Sequence, residues 1–339
     1  MSEQRSTLRV YFAERQRSAD RFVADALTDL CAQRGIAASV VLRGIAGFGP
    51  AHLIRSDLTL SLSEDPPVTV WATDSPARVR ELADAAAPLV TSGMLTIEHG
   101  RQRVPDDVAT VRLSLHLGRH HRVAGTSGYV AVCEMLRRHG FAAADVFLGV
   151  DGAVAGHRRR ARFFGGNSDV PLSVTGVGTA AQAAAAVDEL RAALPDAVLS
   201  VAPTEVCRSG GWTPAALPKH GRFQRVTVHT EEAPARGGPV HRALIRRLRE
   251  SGHAGGATVL RALWGFRGDE EPHGDRFLQI TRHVPVCTVI VGTAADIASC
   301  YPIIDEVTAQ AGLVTVESLA GMLEVHAGRR FGDLGSAPP

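Results

Sequence analysis

The 339-residue sequence predicts an α+β protein built from three tandem β-α-β-β-α-β units that close on one another as an intramolecular pseudo-trimer. Three observations carry this. An apolar run that breaks into glycines spans Val41 to Gly49 (Val-Leu-Arg-Gly-Ile-Ala-Gly-Phe-Gly) and returns from Val259 to Gly268, with a worn copy from Val146 to Gly152. Glycines that stop helices keep step with these runs, because the spacing from Gly35 to Gly140 equals that from Gly47 to Gly152. The segment Gly93-Met-Leu-Thr-Ile-Glu98 is matched by Gly312-Leu-Val-Thr-Val-Glu317.

Unit one, residues 7–100, opens on Leu8 to Phe12, whose alternation predicts a strand. Residues 21–34 place Phe22, Ala26, Leu27 and Leu30 on one helical face, and Gly35 stops that helix. Ala38 to Ile45 predicts strand two. The glycines after it let the backbone bend and approach a neighbour closely. Leu58 to Leu62 and Val68 to Ala72 predict a third strand interrupted by Ser63-Glu-Asp-Pro-Pro67, whose prolines place a bulge or an edge there. Ser75 and Pro76 start a second helix that reaches about Val90. Gly93 to Glu98 is the fourth strand.

Unit two, residues 110–207, is the divergent copy. It repeats the order with strands at Val111 to Leu117, Leu172 to Val177 and Val198 to Ala202, and helices near 127–139 and 180–194. Unit three, residues 223–326, has a strand at Arg225 to Thr230 and a helix near 239–250 that stops at Gly252. Val284 to Val291 is nearly all apolar, which predicts a strand buried on both faces. A polar linker, 101–109, and a Gly/Pro-rich one, 209–221, separate the units. Residues 327–339 predict a disordered tail.

The element order is that of a ferredoxin-like split βαβ unit. Two helices cover one face of such a sheet and leave the other to be buried elsewhere. Three equal units bury those faces most simply against each other, which makes the chain a monomer with internal pseudo-threefold symmetry. Separate beads would leave three apolar faces in water.

Composition narrows the function. Hydrophobic residues make up 45% and charged residues 21%, with a net charge of +2, so no general attraction to nucleic acid or anionic membrane is expected. The first seven residues lack a signal-peptide core, and the five cysteines form no C-x-x-C pair, so a cytoplasmic location with reduced thiols is expected. The sequence holds no G-x-S-x-G, P-loop or H-E-x-x-H motif, and no cofactor or metal is expected. RNA-recognition sheets need stacking aromatics on strands one and three, and only unit one has candidates, Tyr11 and Trp71.

Candidate binding residues recur by unit. Arg9, Arg112 and Arg225 occupy matching first strands, either as one anion donor per inter-unit cleft or as partners that lock Glu98 or Glu317. Arg43 and Arg261 precede the glycines, where unit two has Leu148; each is an anion donor or a solvated strand end. Phe48 and Phe266 are candidates to stack on a flat ligand or to anchor the loop in a core. Gly44, Gly47 and Gly49, with Gly265 and Gly268, line the same turn. His116 and His229 match each other, with Ala13 at that place in unit one. The run His157-Arg-Arg-Arg-Ala-Arg162 reads as a solvated charge run or a patch for an acidic partner or membrane surface.

Leu42-Arg-Gly-Ile-Ala-Gly-Phe-Gly49 followed by Leu62-Ser-Glu-Asp-Pro-Pro-Val68 resembles the PII-like family known as domain of unknown function 190. Units one and three carry the resemblance well and unit two in outline. The family is similar to the trimeric PII signalling proteins, which bind adenine nucleotides between subunits and regulate transporters or enzymes through the loop after strand two. The resemblance implies a non-enzymatic sensor that binds a small anionic ligand, an adenine nucleotide among the candidates, in clefts between units. It also implies a regulated partner such as a membrane transporter. Here the helix-to-strand connections near Gly93 and Gly312 lack the Gly-Lys phosphate cradle of PII proteins, and the loop from Ala46 to Asp57 has no Tyr to modify. An uncharacterised enzyme on a ferredoxin-like scaffold is the alternative.

Overall fold

The first strands Gln4–Ala13, Thr110–Gly118 and Phe223–Glu231 form the centres of three antiparallel arrays, those of units one and two joined edge to edge in one continuous sheet. Each is flanked by its unit's third strand (Pro67–Asp74, Pro171–Thr179, Pro285–Thr293) and its fourth (Gly93–Arg101, Val198–Pro203, Leu313–Leu319). Second strands Ala38–Arg43, Ala143–Leu148 and Ala257–Arg261 add outside the third. This is the ferredoxin-like order, three times. The computed structural model from which it is read describes residues 4–56, 65–154, 157–158, 160, 170–209, 217, 221–232, 238–274, 284–309 and 312–335. The expected strand half at Leu58 to Leu62 and most of the 209–221 linker lie outside the described residues.

Two helices cover one face of each sheet: Val23–Gln33 and Pro76–Ala86, Gly128–Arg138 and Ala180–Ala193, Val240–Ser251 and Ala294–Val307. In unit one, Leu8, Val10 and Phe12 meet Val23, Leu27, Val79 and Leu82 in one core, and each other unit has its own. Gly35, Gly140 and Gly252 follow the first helices at positive φ (+56°, +78°, +69°), the left-handed backbone that ends a helix. The first helix begins two residues later than its apolar period suggested, at Val23 rather than residue 21. Phe22 is the extended N-cap, is exposed, and leaves Val23, Leu27 and Cys31 to face the core. Ser75 sits at its expected cap position without a side-chain cap bond, whereas Thr179 and Thr293 form full capping boxes with Gln182 and Asp296. Among the described residues no helix is long and apolar enough to cross a membrane.

The units exchange strands in a ring. Within the glycine run, Ala46–Phe48 leaves unit one and pairs with Ala257 to Val259 of unit three. Trp264–Arg267 of unit three pairs with Ala143 to Val146 of unit two. Asp151–Val154 of unit two pairs with Ala38 to Val41 of unit one. The end of the first unit's fourth strand and the strands that follow the other two close the ring in the opposite sense: Arg101 reaches Val201, Glu205–Ser209 pairs with unit three, and Gly321–His326 pairs with unit one. Each unit thus caps an edge of both neighbours, and paired edges present no template for aggregation. Apolar clusters shared between units bury the helix-free faces, one joining Tyr11 and Met94 to Phe223, Val289 and Met322, another joining Trp71 to Phe147 and Leu260. The pseudo-trimer expected from three apolar faces is what the chain forms.

The tail departs from expectation. Gly321–His326 and Arg329–Asp333 form a hairpin through Ala327 and Gly328, both at positive φ as a two-residue turn of this type requires. Leu334 is buried in the unit-one core, close against Gly321. A strand pair on a neighbouring sheet outweighs the low apolar content from which disorder was read; residues 336–339 lie outside the described residues.

Candidate ligand cleft between units

The three first-strand arginines do not divide among three clefts. They meet where the helix-free faces converge and share two carboxylates. Arg9 lies 3.2 Å from Glu98, and Arg112 lies 2.9 Å from Glu98 and 2.6 Å from Glu317. Arg225 pairs with both Glu98 and Glu317. All five side chains are buried. Burial alone would raise the Glu98 carboxyl; Arg112, Arg225 and Arg9 overturn that and hold it well below the usual carboxylate range. Of the two sequence readings, the lock holds and the anion donor does not.

Strand register also corrects their alignment. Arg112 pairs with Ala202 and Arg225 with Glu317, while Thr7 pairs with Glu98. Arg112 and Arg225 are therefore equivalent to Thr7, and Arg9 stands two residues further on, with Ser114 and Thr227. Ala202 holds the place of the third glutamate. By the same register Tyr11, not Ala13, is the counterpart of His116 and His229.

The glycine runs serve the strand exchange. A Cβ on Gly47 would lie 2.5 Å from the Ala257 carbonyl oxygen, and one on Gly265 would lie 2.3 Å from that of Ala144. Gly44 is closed in the same way by Pro67 and the Val259 carbonyl. Phe48 is buried in the core of unit three and Phe266 in the core of unit two, each as the anchor of its donated strand. Arg43 is bound to Glu14 at 3.0 Å and Arg261 to Glu232 at 2.6 Å, so these two are matching ion pairs within their own units. Gly268 ends the third run at φ +54°, with open space around it.

A cavity of about 300 Å³ lies where the unit-one loop passes over unit three. Phe48 and Gly49 line it, with Met94, Val289 and Val291 as apolar wall. Its polar side is formed by Arg15, Gln16, Arg55 and Asp65, and by the backbone at Gly255 and Gly256. Arg55 is ion-paired with Asp65, and the Arg15 amide donates to Asp65 Oδ1 at 2.7 Å. Sequence reading missed Arg15, Arg55 and Asp65. They share no motif; only the exchange of strands brings them to one wall.

The equivalent places between other units are built differently. Between units two and one, Arg158 pairs with Asp151 at 2.6 Å and with Asp29, and Arg160 lies 3.1 Å from Asp25. The described part of the basic run is thus neutralised by the first helix of unit one. Between units three and two, His229 Nδ1 lies 2.9 Å from Asp145 and 3.4 Å from Cys287, and Arg267 lies 2.5 Å from Asp145. Burial would raise the Asp145 carboxyl, and Arg267 and His229 hold it below its ordinary range. In this buried network His229 holds the strand position that Tyr11 holds in unit one.

The family model for domain of unknown function 190, described as "Uncharacterized ACR", matches residues 5–102, 110–206 and 223–320. The chain belongs to the DUF190 family. Among solved structures, one DUF190 unit is similar to CPII, a nitrogen regulatory PII-like protein from Thiomonas intermedia K12 determined with ADP, AMP and bicarbonate. That match has 17% identity over 28% of this chain and 85% of CPII, with a TM-score of 0.22. A longer stretch is similar to the regulatory subunit of aspartate kinase from Thermus thermophilus, with 15% identity over 56% of this chain and 93% of that one, and a TM-score of 0.27.

Proposed function

We propose that this DUF190 chain is a non-enzymatic, ligand-binding regulatory protein whose site is the cleft between units one and three. The observation that carries the reading is the composition of that cleft. Its volume of about 300 Å³ sits at the lower end of small-molecule sites. Among its described lining residues, the Arg15 and Arg55 guanidiniums supply hydrogen-bond donors on the polar side, the chemistry that recognises an anion. The apolar wall beside it suits a flat or aliphatic body. A small anionic metabolite fits this combination, and an adenine nucleotide is one member of the class.

The same loop supplies the output. Leu53 and Ile54 are large apolar side chains exposed at the rim, 62% and 44% accessible. A ligand that contacts Arg55 and Gly49 acts on the segment that carries them, and a partner such as a transporter would read that segment. The ring of units closes within one chain, so we infer a monomer.

A thermal-shift panel with AMP, ADP, bicarbonate, phosphate and RNA tests the reading. Stabilisation by an anion, lost in Arg55→Ala, supports it. No response to any anion, or a response that Arg55→Ala leaves intact, overturns it. An enzymatic reading would rest on Ser92 Oγ, 3.3 Å from His326 Nδ1 at the cleft edge. Ester hydrolysis abolished in Ser92→Ala would favour that reading instead.

A further inference from the structure

We propose that the rim of the contact between units three and two is a binding site for a divalent transition-metal ion, held by Glu231, Glu270 and His273. One ligand atom from each residue lies within 4.8 Å of the others. A single imidazole and two carboxylates form a borderline-to-hard donor set of the kind that takes Zn²⁺ or a neighbouring first-row ion. Glu231 ends the first strand of unit three, whereas Glu270 and His273 come from the loop after its glycine run. His273 pairs across to Gly265 as Arg55 pairs to Gly47 in unit one. The metal ligand therefore stands where the anion-facing arginine stands in the first cleft.

The surroundings of His273 point to a cation. Its Nδ1 lies 3.1 Å from the Glu271 carbonyl oxygen and its Nε2 lies 3.2 Å from Glu231 Oε2. Both partners only accept. A neutral imidazole has one N–H, so one of the two contacts is lone pair against lone pair unless the ring is doubly protonated or an ion lies between Nε2 and the carboxylate. An Nδ1–H donated to a backbone carbonyl is the arrangement that orients Nε2 toward a metal. Glu231 Oε1 is buried and has no hydrogen-bond partner among the described residues. Across the interface, Arg137 Nε donates to the Glu270 backbone carbonyl oxygen at 3.2 Å, so this contact does not engage the Glu270 carboxylate. Arg267, which feels the Glu231 charge, is engaged by Asp145. Both Glu231 and His273 are about a quarter exposed, so an ion has access and keeps an open position for water or a ligand. The deeper Asp145, His229 and Cys287 group is fully buried and already neutralised by Arg267, and its thiol is pushed up by burial and by Asp145.

Calorimetric titration of the full chain with ZnCl₂, in two buffers of different ionisation enthalpy, tests the site. The expected result is one ion per chain. His273→Gln and Glu231→Gln should each weaken binding by about tenfold or more, the scale of losses when metal coordination is disturbed. A variant carrying His120→Ala and His121→Ala, an unrelated histidine pair, should bind as the natural chain does. Thermal melts of the apo variants separate lost binding from lost folding, and the exposed Glu270→Gln gives a second reading if Glu231→Gln does not fold. Absence of Zn²⁺ binding, or binding unchanged in His273→Gln and Glu270→Gln, overturns the proposal. A thiolate charge-transfer band with Co²⁺ would also overturn it, by assigning the ion to Cys287.

Discussion

Arg112 in the first strand of unit two lies 2.9 Å from Glu98 in the last strand of unit one. That contact belongs to a buried set of three arginines, Arg9, Arg112 and Arg225, and two glutamates, Glu98 and Glu317. The set carries one positive charge in excess. Arg9 is eased by the Trp71 ring, 3.9 Å from its guanidinium carbon. Removing one partner of a buried ion pair typically costs about 3–5 kcal/mol, so Glu98→Gln should lower stability by that order. Ala202 stands in the place of the third glutamate and borders a cavity of about 530 Å³, which leaves room for a longer side chain. Ala202→Glu is expected to raise the denaturation midpoint, as a charge-assisted bond contributes about 1.5–3 kcal/mol. Urea unfolding of both variants checks the two signs.

His116 gives the fold a defined pH dependence. Burial, Arg9 and Arg112 push its pKa down to about 3. Its unfolded value is about 6.5. The unfolded chain therefore binds the proton first, and the stability this group contributes is present above about pH 6.5 and is lost as pH falls toward 3. Melting temperature should decline across that window, and His116→Gln should flatten the decline. An equally steep decline in the variant would assign the effect to other groups.

Gly265→Ala tests the strand exchange. The new methyl group would meet the Ala144 carbonyl oxygen of unit two at 2.3 Å, on backbone that cannot move without breaking the inter-unit pairing. Overpacking of this kind costs about 1–3 kcal/mol. Gly49→Ala, with nothing within 4 Å of its Cβ, is the matched neutral control. Chemical denaturation of the pair should show a lowered midpoint for Gly265→Ala alone.

Deleting residues 327–339 should destabilise the protein. It removes the partner of Gly321–His326, which itself covers the edge of Gly93–Arg101, and it strips Leu334 from the unit-one core. A drop of several degrees in melting temperature is expected. An unchanged value would mean that the hairpin contributes nothing.

Much of the fold was legible because each unit obeys local rules. Glycine stops at 35, 140 and 252, prolines at strand entries and the repeat spacing fixed element order, and apolar third strands announced burial on both faces. The site was less legible, for physical reasons. Matching arginine to arginine placed Arg9 two residues out of register; matching the apolar alternation Leu8, Leu113, Val226 would have aligned Tyr11 with His116 and His229. Phe48 looked like a ligand platform because no sequence pattern says that its strand belongs to the sheet of unit three. Arg55 and Asp65 lie on one cleft wall only because that exchange folds the loop back, and the tail hairpin depends on an edge supplied by unit one.

The most direct test of a single working cleft is calorimetric titration with the anion that gives the largest thermal shift, on the natural chain and on Gly49→Phe. Phenylalanine at 49 grows into the cleft from a position with open space, so the ring of units is left intact. One site per chain, weakened by more than about tenfold (1.4 kcal/mol) in the variant, is the predicted result. Three equal sites, or affinity unchanged by Gly49→Phe, would contradict it.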